Sequence, residues 1–526
     1  MSAAPELAST LTPGRKASSL NRARRQRELE DLAGGGEVDL AVIGGGITGA
    51  YVALDAATRG CSVVLLEQHD LAHGTSRWSS KLVHGGLRYL AHGEFGLAHE
   101  SAVERGILME RTAVHLTRAL PMLVPVGAPM GWGQAALTSL GFVLADALRV
   151  SAGTRRRTLP HPSWVSAQEA RLLVPALHAT HVRGAVRTWD GQLIDDARLV
   201  VAVARTAAAF GARILTRCEV TAIDGRDLHV RDGVGGDQLR IRARAVVNAT
   251  GVWADRLHPE VRLRPSKGAH LLLRPEALGR PAAAITVPVP EDPGRYVFAL
   301  PQPEGPVLLG LTDDPVDRVT DEPCVDADEQ AFLLTAISAA LQVPLTDEDV
   351  VGSFAGLRPL LAGGDGRTAD LSRAHAVIEG RDGLLSVVGG KLTTARRMAA
   401  DVLDRLADRE GWATGPCVTA TQPLVGVLSR ARLAGLQVPR RLVARYGAEA
   451  VEVAARLRAD PDLATRILDD REEWLVELVW ALEHEGALTV DDLLDRRLRL
   501  GVIPEARRRA RPVAEQVLAA TSAPPR

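Results

Sequence analysis

The chain has 526 residues, enough for two or three domains with large buried cores. Its 63 Lys+Arg balance 64 Asp+Glu for a formal charge of −1, so no basic field marks it as a nucleic-acid binder. Cys61, Cys218, Cys324 and Cys417 are widely spaced with no CxxC pair, which argues against a disulfide framework or a metal site.

No apolar signal-peptide run opens the sequence, and an intracellular protein is expected. Residues 12–33 hold Arg15, Lys16, Arg22, Arg24, Arg25 and Arg27, then Glu28, Glu30 and Asp31. They read as a solvated leader, favoured over a lipid-attracted helix because the apolar face is thin. Val38–Ile43 is a predicted strand running into Gly44-Gly45-Gly46, followed by a helix over Ile47–Arg59 and a second apolar strand over Ser62–Glu67. This is a βαβ unit with strands buried on both faces. Ala135–Val150 contains Asp146 and is too short to span a bilayer; a buried helix is expected there rather than one lying on a membrane.

Asp195-Asp196-Ala197-Arg198 opens a predicted helix through Ala209, with acids at its positive end. Val220–Ile223, Leu228–Val230 and Leu239–Arg244 read as an antiparallel meander, and Ala245–Ala249 as a separate apolar strand closed by Thr250-Gly251. Pro-bounded strands at His270–Leu273, Tyr296–Leu300 and Val307–Leu311 precede a helix at Asp328–Leu341. The chain returns through Leu384–Val388 to a helix starting near Lys391. From about residue 420 it turns helical, with Trp474, Leu475, Leu478, Val479 and Leu482 on one expected core face and a cap at Thr489–Asp492.

Gly44-x-Gly46-x-x-Gly49 has the strand and helix context of a dinucleotide turn. Gly44 permits the tight turn, Gly46 admits a pyrophosphate, and Gly49 allows close helix packing. Glu67 ends the second strand, where a carboxylate accepts ribose hydroxyls. These features do not separate FAD from NAD. Three others favour FAD: the strand into Thr250-Gly251, the polar segment Thr75–Lys81, and Gly389-Gly390-Lys391-Leu392-Thr393-Thr394. The last is a strand-to-helix turn that suits the flavin pyrimidine edge. Only four residues are lysine, and Lys81, Lys267 and Lys391 all sit in Gly- or Ser-containing motifs, where a compact ammonium differs from a guanidinium. Arg88, Arg358, Arg373 and Lys391 lie in polar or glycine-rich turns and together suit a small phosphorylated or carboxylated substrate.

The stretch Ser79-Ser-Lys-Leu-Val-His-Gly-Gly-Leu-Arg-Tyr-Leu90, with Asp39–Gly49, Val246–Asp255, Ser266–His270, Gly356–Leu361, Ser372–His375, Gly389–Thr394 and Glu483–Arg497, resembles the aerobic FAD-dependent glycerol-3-phosphate dehydrogenases. These belong to the D-amino-acid-oxidase-like flavoproteins, and the likeness spans roughly residues 38–500. It implies an α/β fold: a Rossmann-like FAD-binding domain (37–110, 190–261 and 351–419), an inserted sheet-based substrate domain (111–189 and 262–350), and an all-α C-terminal domain (420–526). Residues 1–36 form a leader. It also implies oxidation of sn-glycerol 3-phosphate to dihydroxyacetone phosphate, electrons passing from FAD to a membrane quinone, and peripheral attachment to the inner face of the plasma membrane. A homodimer is compatible with it.

Carried over by motif, Arg88, Tyr89 and Arg373 would hold the phosphate, with Arg358 and Lys391 at the reacting carbinol. Gly44, Gly46, Gly49, Glu67, Thr75, Ser76, Ser80, Lys81, Leu82, Thr250, Gly251, Gly390, Leu392 and Thr393 would line FAD. The proton acceptor stays open. Arg358 has the family position but is a poor base, whereas His84 and His375 titrate in a useful range. The chain departs from the family at Arg77-Trp78, Gln302 and Leu311. Oxygen as acceptor, an amine or amino-acid oxidase of the same fold, and a flavin-holding protein without turnover are the alternatives.

Overall fold

The computed structural model describes residues 15–86, 89, 93–127, 141, 143–144, 146–289, 295–303, 305–362 and 375–522. Two sheets organise them. The first has eight strands and is built on parallel pairing of Leu385–Gly389, Gln238–Asn248, Glu37–Ile43, Val63–Glu67 and Arg213–Thr216, in that spatial order. The central strands are Val/Leu/Ile/Ala-rich because helices Ile47–Thr58, Asp196–Ala209 and Ala395–Glu410 cover one face.

Gln238–Asn248 is one continuous strand, where the sequence reading had two. Its first half pairs antiparallel with Asp227–Asp232 and its second half runs parallel to Glu37–Ile43. The polar–apolar alternation of residues 239–244 marks a strand with one solvated face, and the unbroken apolar run after it marks the same strand entering the core.

The second sheet has ten strands, mostly antiparallel, with Thr117–Gly127 and Val182–Leu193 paired along their full lengths. Val350–Arg358 pairs antiparallel with Ser266–Leu273, so residues 351–358 extend this sheet instead of the cofactor sheet. The helix Ala327–Ser338 covers it, started by a reciprocal cap between Asp326 and Glu329.

Residues 15–33 are not a solvated leader. Helix Arg22–Ala33 buries Leu29 and Leu32 against the first sheet, and the buried Arg25 pairs with Asp232 and donates to Thr216 O at 2.8 Å. Just before it, Leu20 is buried and Asn21 Nδ2 donates to Glu483 O at 3.0 Å, tying the segment to the C-terminal helices. The sequence reading weighed lipid against water and missed a third solvent, the protein's own surface.

The C-terminal part is helical, through Arg440–Tyr446, Ala450–Ala459, Leu475–His484 and Pro504–Ser522. Leu478, Trp480 and Leu482 are buried in its core. No helix among the described residues is long and apolar enough to cross a membrane.

Candidate active site

Four neighbouring parallel strands, Leu385–Gly389, Gln238–Asn248, Glu37–Ile43 and Val63–Glu67, end at one edge of the first sheet. Their C-terminal turns are the four segments singled out for a dinucleotide: Gly389–Thr394, Thr250-Gly251, Gly44–Gly49 and Glu67. Ligands bind at this edge in open α/β sheets.

Gly44 has φ +111°, and a Cβ there would fall 2.6 Å from Ala249 O. A Cβ on Gly49 would sit 2.0 Å from Gly44 O, so only glycine lets the helix come this close. Gly46 caps the helix without a side-chain hydrogen bond, and Ser76 Oγ takes the Ile47 amide at 2.9 Å. Both oxygens of Glu67 are steered by backbone, from Gly45 N at 2.6 Å and His69 N at 2.7 Å. Burial raises the carboxyl pKa while those amides oppose the rise. Thr250 Oγ1 donates to Asn248 Oδ1 at 2.7 Å, and Gly251, at φ +63°, has open space where a Cβ would stand. Gly390 has φ +68° and lies against Met398; Leu392–Thr394 then forms a short turn of helix with Thr393 buried. These residues fit a flavin dinucleotide: backbone amides for pyrophosphate, an oriented carboxylate for ribose, and a helix start for the ring.

Several side chains of the predicted motifs are engaged by the protein itself. Lys81 directs its ammonium to Asp196 Oδ1 at 2.8 Å, and Lys267 pairs with Asp326 and Glu329 at 3.0 and 2.9 Å. Lys81 and Lys267 are thus ion-paired to neighbouring carboxylates, which weakens the argument from lysine scarcity. Leu82 is a core residue packed with Leu120 and Met122 and paired through its backbone to Gln192. Thr75 Oγ1 donates to Leu357 O at 2.6 Å, and Ser80 shares a 2.9 Å hydrogen bond with His270 Nε2; both join the flavin-side loop to the second sheet.

On the substrate side, Lys391 Nζ lies 3.9 Å above the Tyr89 ring and donates to Ser101 Oγ at 3.0 Å. Ser101 is on helix Phe95–Ile107, and Arg105, one turn on, reaches Asp190 Oδ1 at 2.8 Å. The other oxygen of Asp190 meets His84 Nδ1 at 3.1 Å. Burial alone would raise Asp190, but Arg105 and His84 outweigh it and hold the carboxyl at about 2. Tyr89, Lys391 and His84 are therefore gathered along one helix.

Arg358 belongs to a second cluster, donating to Ser266 Oγ and Asp313 Oδ1, each at 2.9 Å, and to Thr312 O at 3.0 Å. His375 Nε2 meets Asp401 at 2.8 Å, with its Cβ beside Gly390. Arg88 and Arg373 lie outside the described residues.

The sequence reading gave no site role to His270, Asp190, Asp196 or Asp313. His270 is buried, stacked on Phe354 at 4.8 Å, and pulled down to about 3 by burial and then by Arg358 and Lys81. A histidine opening an apolar run, His270–Leu273, looks like core. Its one signal was its place at the end of the quoted stretch Ser266–His270.

The comparisons with known proteins bear on the whole chain. Residues 39–396 match the family of FAD dependent oxidoreductases, and 417–523 match the C-terminal domain of alpha-glycerophosphate oxidase. Glycerol-3-phosphate dehydrogenase 1 of Mycobacterium tuberculosis is 48% identical over 509 residues, covering 95% of this chain and 98% of its own. The chain belongs to the FAD-dependent glycerol-3-phosphate dehydrogenases. A glycerol-3-phosphate dehydrogenase of Synechocystis is 30% identical over 88% of this chain and 89% of its own. The crystal structure of the Bacillus halodurans glycerol-3-phosphate dehydrogenase complexed with FAD superposes with a TM-score of 0.70 at 25% identity, covering 97% of this chain and all of that one. The cofactor is FAD, and the fold is that of the FAD-binding oxidoreductases with a helical C-terminal domain.

In this dehydrogenase the C-terminal domain also grips the cofactor loop. Asp70, three residues past Glu67 and fully buried, accepts from Arg496 Nε at 2.7 Å and from Arg497 Nη1 and Nη2 at 2.8 and 2.9 Å. Arg499 Nη2 donates to Arg77 O at 2.6 Å, and its Nε lies 3.3 Å from Asp195. The Asp492–Arg497 motif thus has a structural task within the family fold.

Proposed function

We propose that the enzyme oxidises sn-glycerol 3-phosphate to dihydroxyacetone phosphate and passes the electrons to a membrane quinone at the inner face of the plasma membrane. FAD, when bound, accepts the C2 hydrogen as hydride. Lys391, beside Tyr89, would bind the substrate's oxyanion end or carbinol oxygen as a compact cation, with Arg88 and Arg373 completing the phosphate grip. Arg358, in register with Ser266 on the second sheet, would orient the carbinol from the other side.

The observation that carries this reading is Lys391 over Tyr89 at the turn following Leu385–Gly389, on the sheet edge where the dinucleotide turns meet. For the hydroxyl proton, His84 is favoured over Arg358 and His375. Asp190 at its Nδ1 fixes the tautomer that leaves Nε2 as acceptor, and the ring is 45% exposed. Arg358 donates to a carboxylate and holds its protons.

Anaerobic titration with sn-glycerol 3-phosphate tests the reading. Oxidised-flavin absorbance should fall to completion, and should not fall with sarcosine or D-amino acids. A flavin bleached by neither substrate class would leave a cofactor-holding protein without turnover. Oxygen as acceptor is the second reading, favoured by the oxidase whose C-terminal domain the tail matches. Stopped-flow reoxidation by quinone against oxygen separates the two.

A further inference from the structure

The segment Thr75–Lys81 stands between the two halves of the site. Ser76 faces the cofactor helix through the Ile47 amide, whereas Thr75, Trp78 and Ser80 face the second sheet. Trp78, where the sequence leaves the family pattern, is the only apolar side chain in this segment. Two guanidinium groups border its ring, Arg77 at 4.3 Å and Arg499 at 5.1 Å from the centroid. Arg499 also donates to Arg77 O at 2.6 Å, so the C-terminal domain backs the ring.

The surface met by Trp78 is one face of the strand pair Ser266–Leu273 and Val350–Arg358. Ser266 lies opposite Arg358, Gly268 opposite Gly356 and His270 opposite Phe354, so these six residues share a face. The two glycines are covered from outside. Arg358 crosses Gly268, where a Cβ would fall 2.2 Å from its Nη2. Trp78 crosses Gly356, where a Cβ would fall 2.7 Å from the Trp78 Cβ and 2.8 Å from its carbonyl oxygen. The Trp78 ring stacks on Phe354 with 5.0 Å between centroids, and Phe354 stacks on His270 at 4.8 Å. His270 Nε2 then returns to the loop through its 2.9 Å hydrogen bond with Ser80.

We infer that Trp78 is a positioning residue: seated on Gly356 and Phe354, it fixes the spacing between the flavin-side loop and the sheet that carries Arg358. The inference rests on the proposed oxidation of glycerol 3-phosphate and adds the part that sets the distance the C2 hydride travels. The hydrogen bonds of Thr75 and Ser80 alone leave the loop free to rock about the line joining them. A ring stacked on Phe354, over backbone that carries no side chain, removes that freedom. Trp78 acts through Phe354, His270 and Ser80, and a displacement of about 1 Å between reacting groups costs roughly a hundredfold in rate.

The test uses the full-length holoenzyme as wild type, Trp78→Leu, Trp78→Phe, Phe354→Leu and the double variant Trp78→Leu/Phe354→Leu. Rapid anaerobic mixing with sn-glycerol 3-phosphate gives the rate constant of flavin reduction per bound flavin, which is independent of how much protein is folded. Trp78→Leu should lower its limiting value roughly 10- to 100-fold. The half-saturating substrate concentration should stay within about twofold, because binding is untouched. Trp78→Phe keeps a stacking ring and should stay within about threefold of wild type. The double variant should be no slower than either Leu variant, since each removes the same stack. Apart from turnover, amide hydrogen exchange over residues 75–81 should speed up about tenfold in Trp78→Leu and keep the wild-type rate in Trp78→Phe. Normal reduction per bound flavin in Trp78→Leu, even with FAD or thermal stability lost, would reduce the ring to packing and overturn the inference. Equal slowing in the Phe and Leu variants would overturn it as well. A wild-type flavin that glycerol 3-phosphate does not reduce would sink the functional reading, and hydrogen exchange would still decide whether Trp78 holds the loop.

Discussion

At the scale of single residues, the chemistry depends on a few side chains whose partners are distant in sequence. Lys391 is held by Ser101 and Tyr89, so Lys391→Met should lower kcat/KM for glycerol 3-phosphate by about 100-fold or more while FAD stays bound, measured by steady-state kinetics and flavin absorbance. Arg should not rescue it, because a flat guanidinium does not replace a compact ammonium over a ring. Asp190 has a folded pKa of about 2 and stays charged throughout any practical assay. Asp190→Asn should cut kcat/KM roughly 10- to 100-fold, since the His84 imidazole loses the carboxylate that orients it. An unchanged kcat/KM would move the proton acceptor away from His84. Glycine roles were legible because they are local: Gly49 serves Gly44, five residues away. His270 and Asp190 were not, because a lone polar residue inside an apolar or mixed strand has no local signature.

At the scale of elements, the loop from Glu67 to Lys81 is shaped from three directions. Arg496, Arg497 and Arg499 pull from the C-terminal domain, Leu357 O receives Thr75, and Asp196 holds Ser79 and Lys81. Asp70→Asn would leave two buried guanidinium groups against a neutral amide, at a cost of about 3–5 kcal/mol. Because Glu67 is positioned by the same loop, FAD should also bind about tenfold or more weakly. Flavin fluorescence on dilution and a thermal melt would report the two losses separately. A variant that melts early but keeps wild-type FAD affinity would show the clamp to be structural only. None of this was readable from residues 492–497 alone, since Arg496 and Asp70 are 426 positions apart. The buried helix expected at Ala135–Val150 failed for a related reason: among its described residues Val143, Leu144 and Val150 are exposed and Arg149 is buried. An apolar run reports that water is unwelcome but not on which side the protein lies.

At the scale of the whole molecule, His115 and His270 are buried and His73 is half-buried, all three without charge. His73, His115 and His270 are each pulled down to about 3, by burial first and then by neighbouring cationic or imidazole groups. Unfolded, they bind protons near 6.5; folded, they do so only near 3. Between those values the unfolded state holds more protons, so stability rises with pH and is lost on acidification. At about 1.4 kcal/mol per pH unit each, the three give a slope of up to about 4 kcal/mol per unit between roughly pH 6 and 3. Urea unfolding followed from pH 8 to 5 should show the decline starting near 6.5, well above the carboxylate range, and a flat profile from pH 7 to 5 would falsify the assignment. The two-sheet layout was legible from alternating apolar strands, whereas the pairing of Val350–Arg358 with Ser266–Leu273 was not, because register is a long-range property. The segment from Leu20 to Ala33 has a practical bearing on how the polypeptide is produced. It buckles two lobes together, through Arg25 on one side and Asn21 on the other. Shortening the gene to start at Glu37 would strip a lining from both lobes at once, and inclusion bodies are the expected harvest.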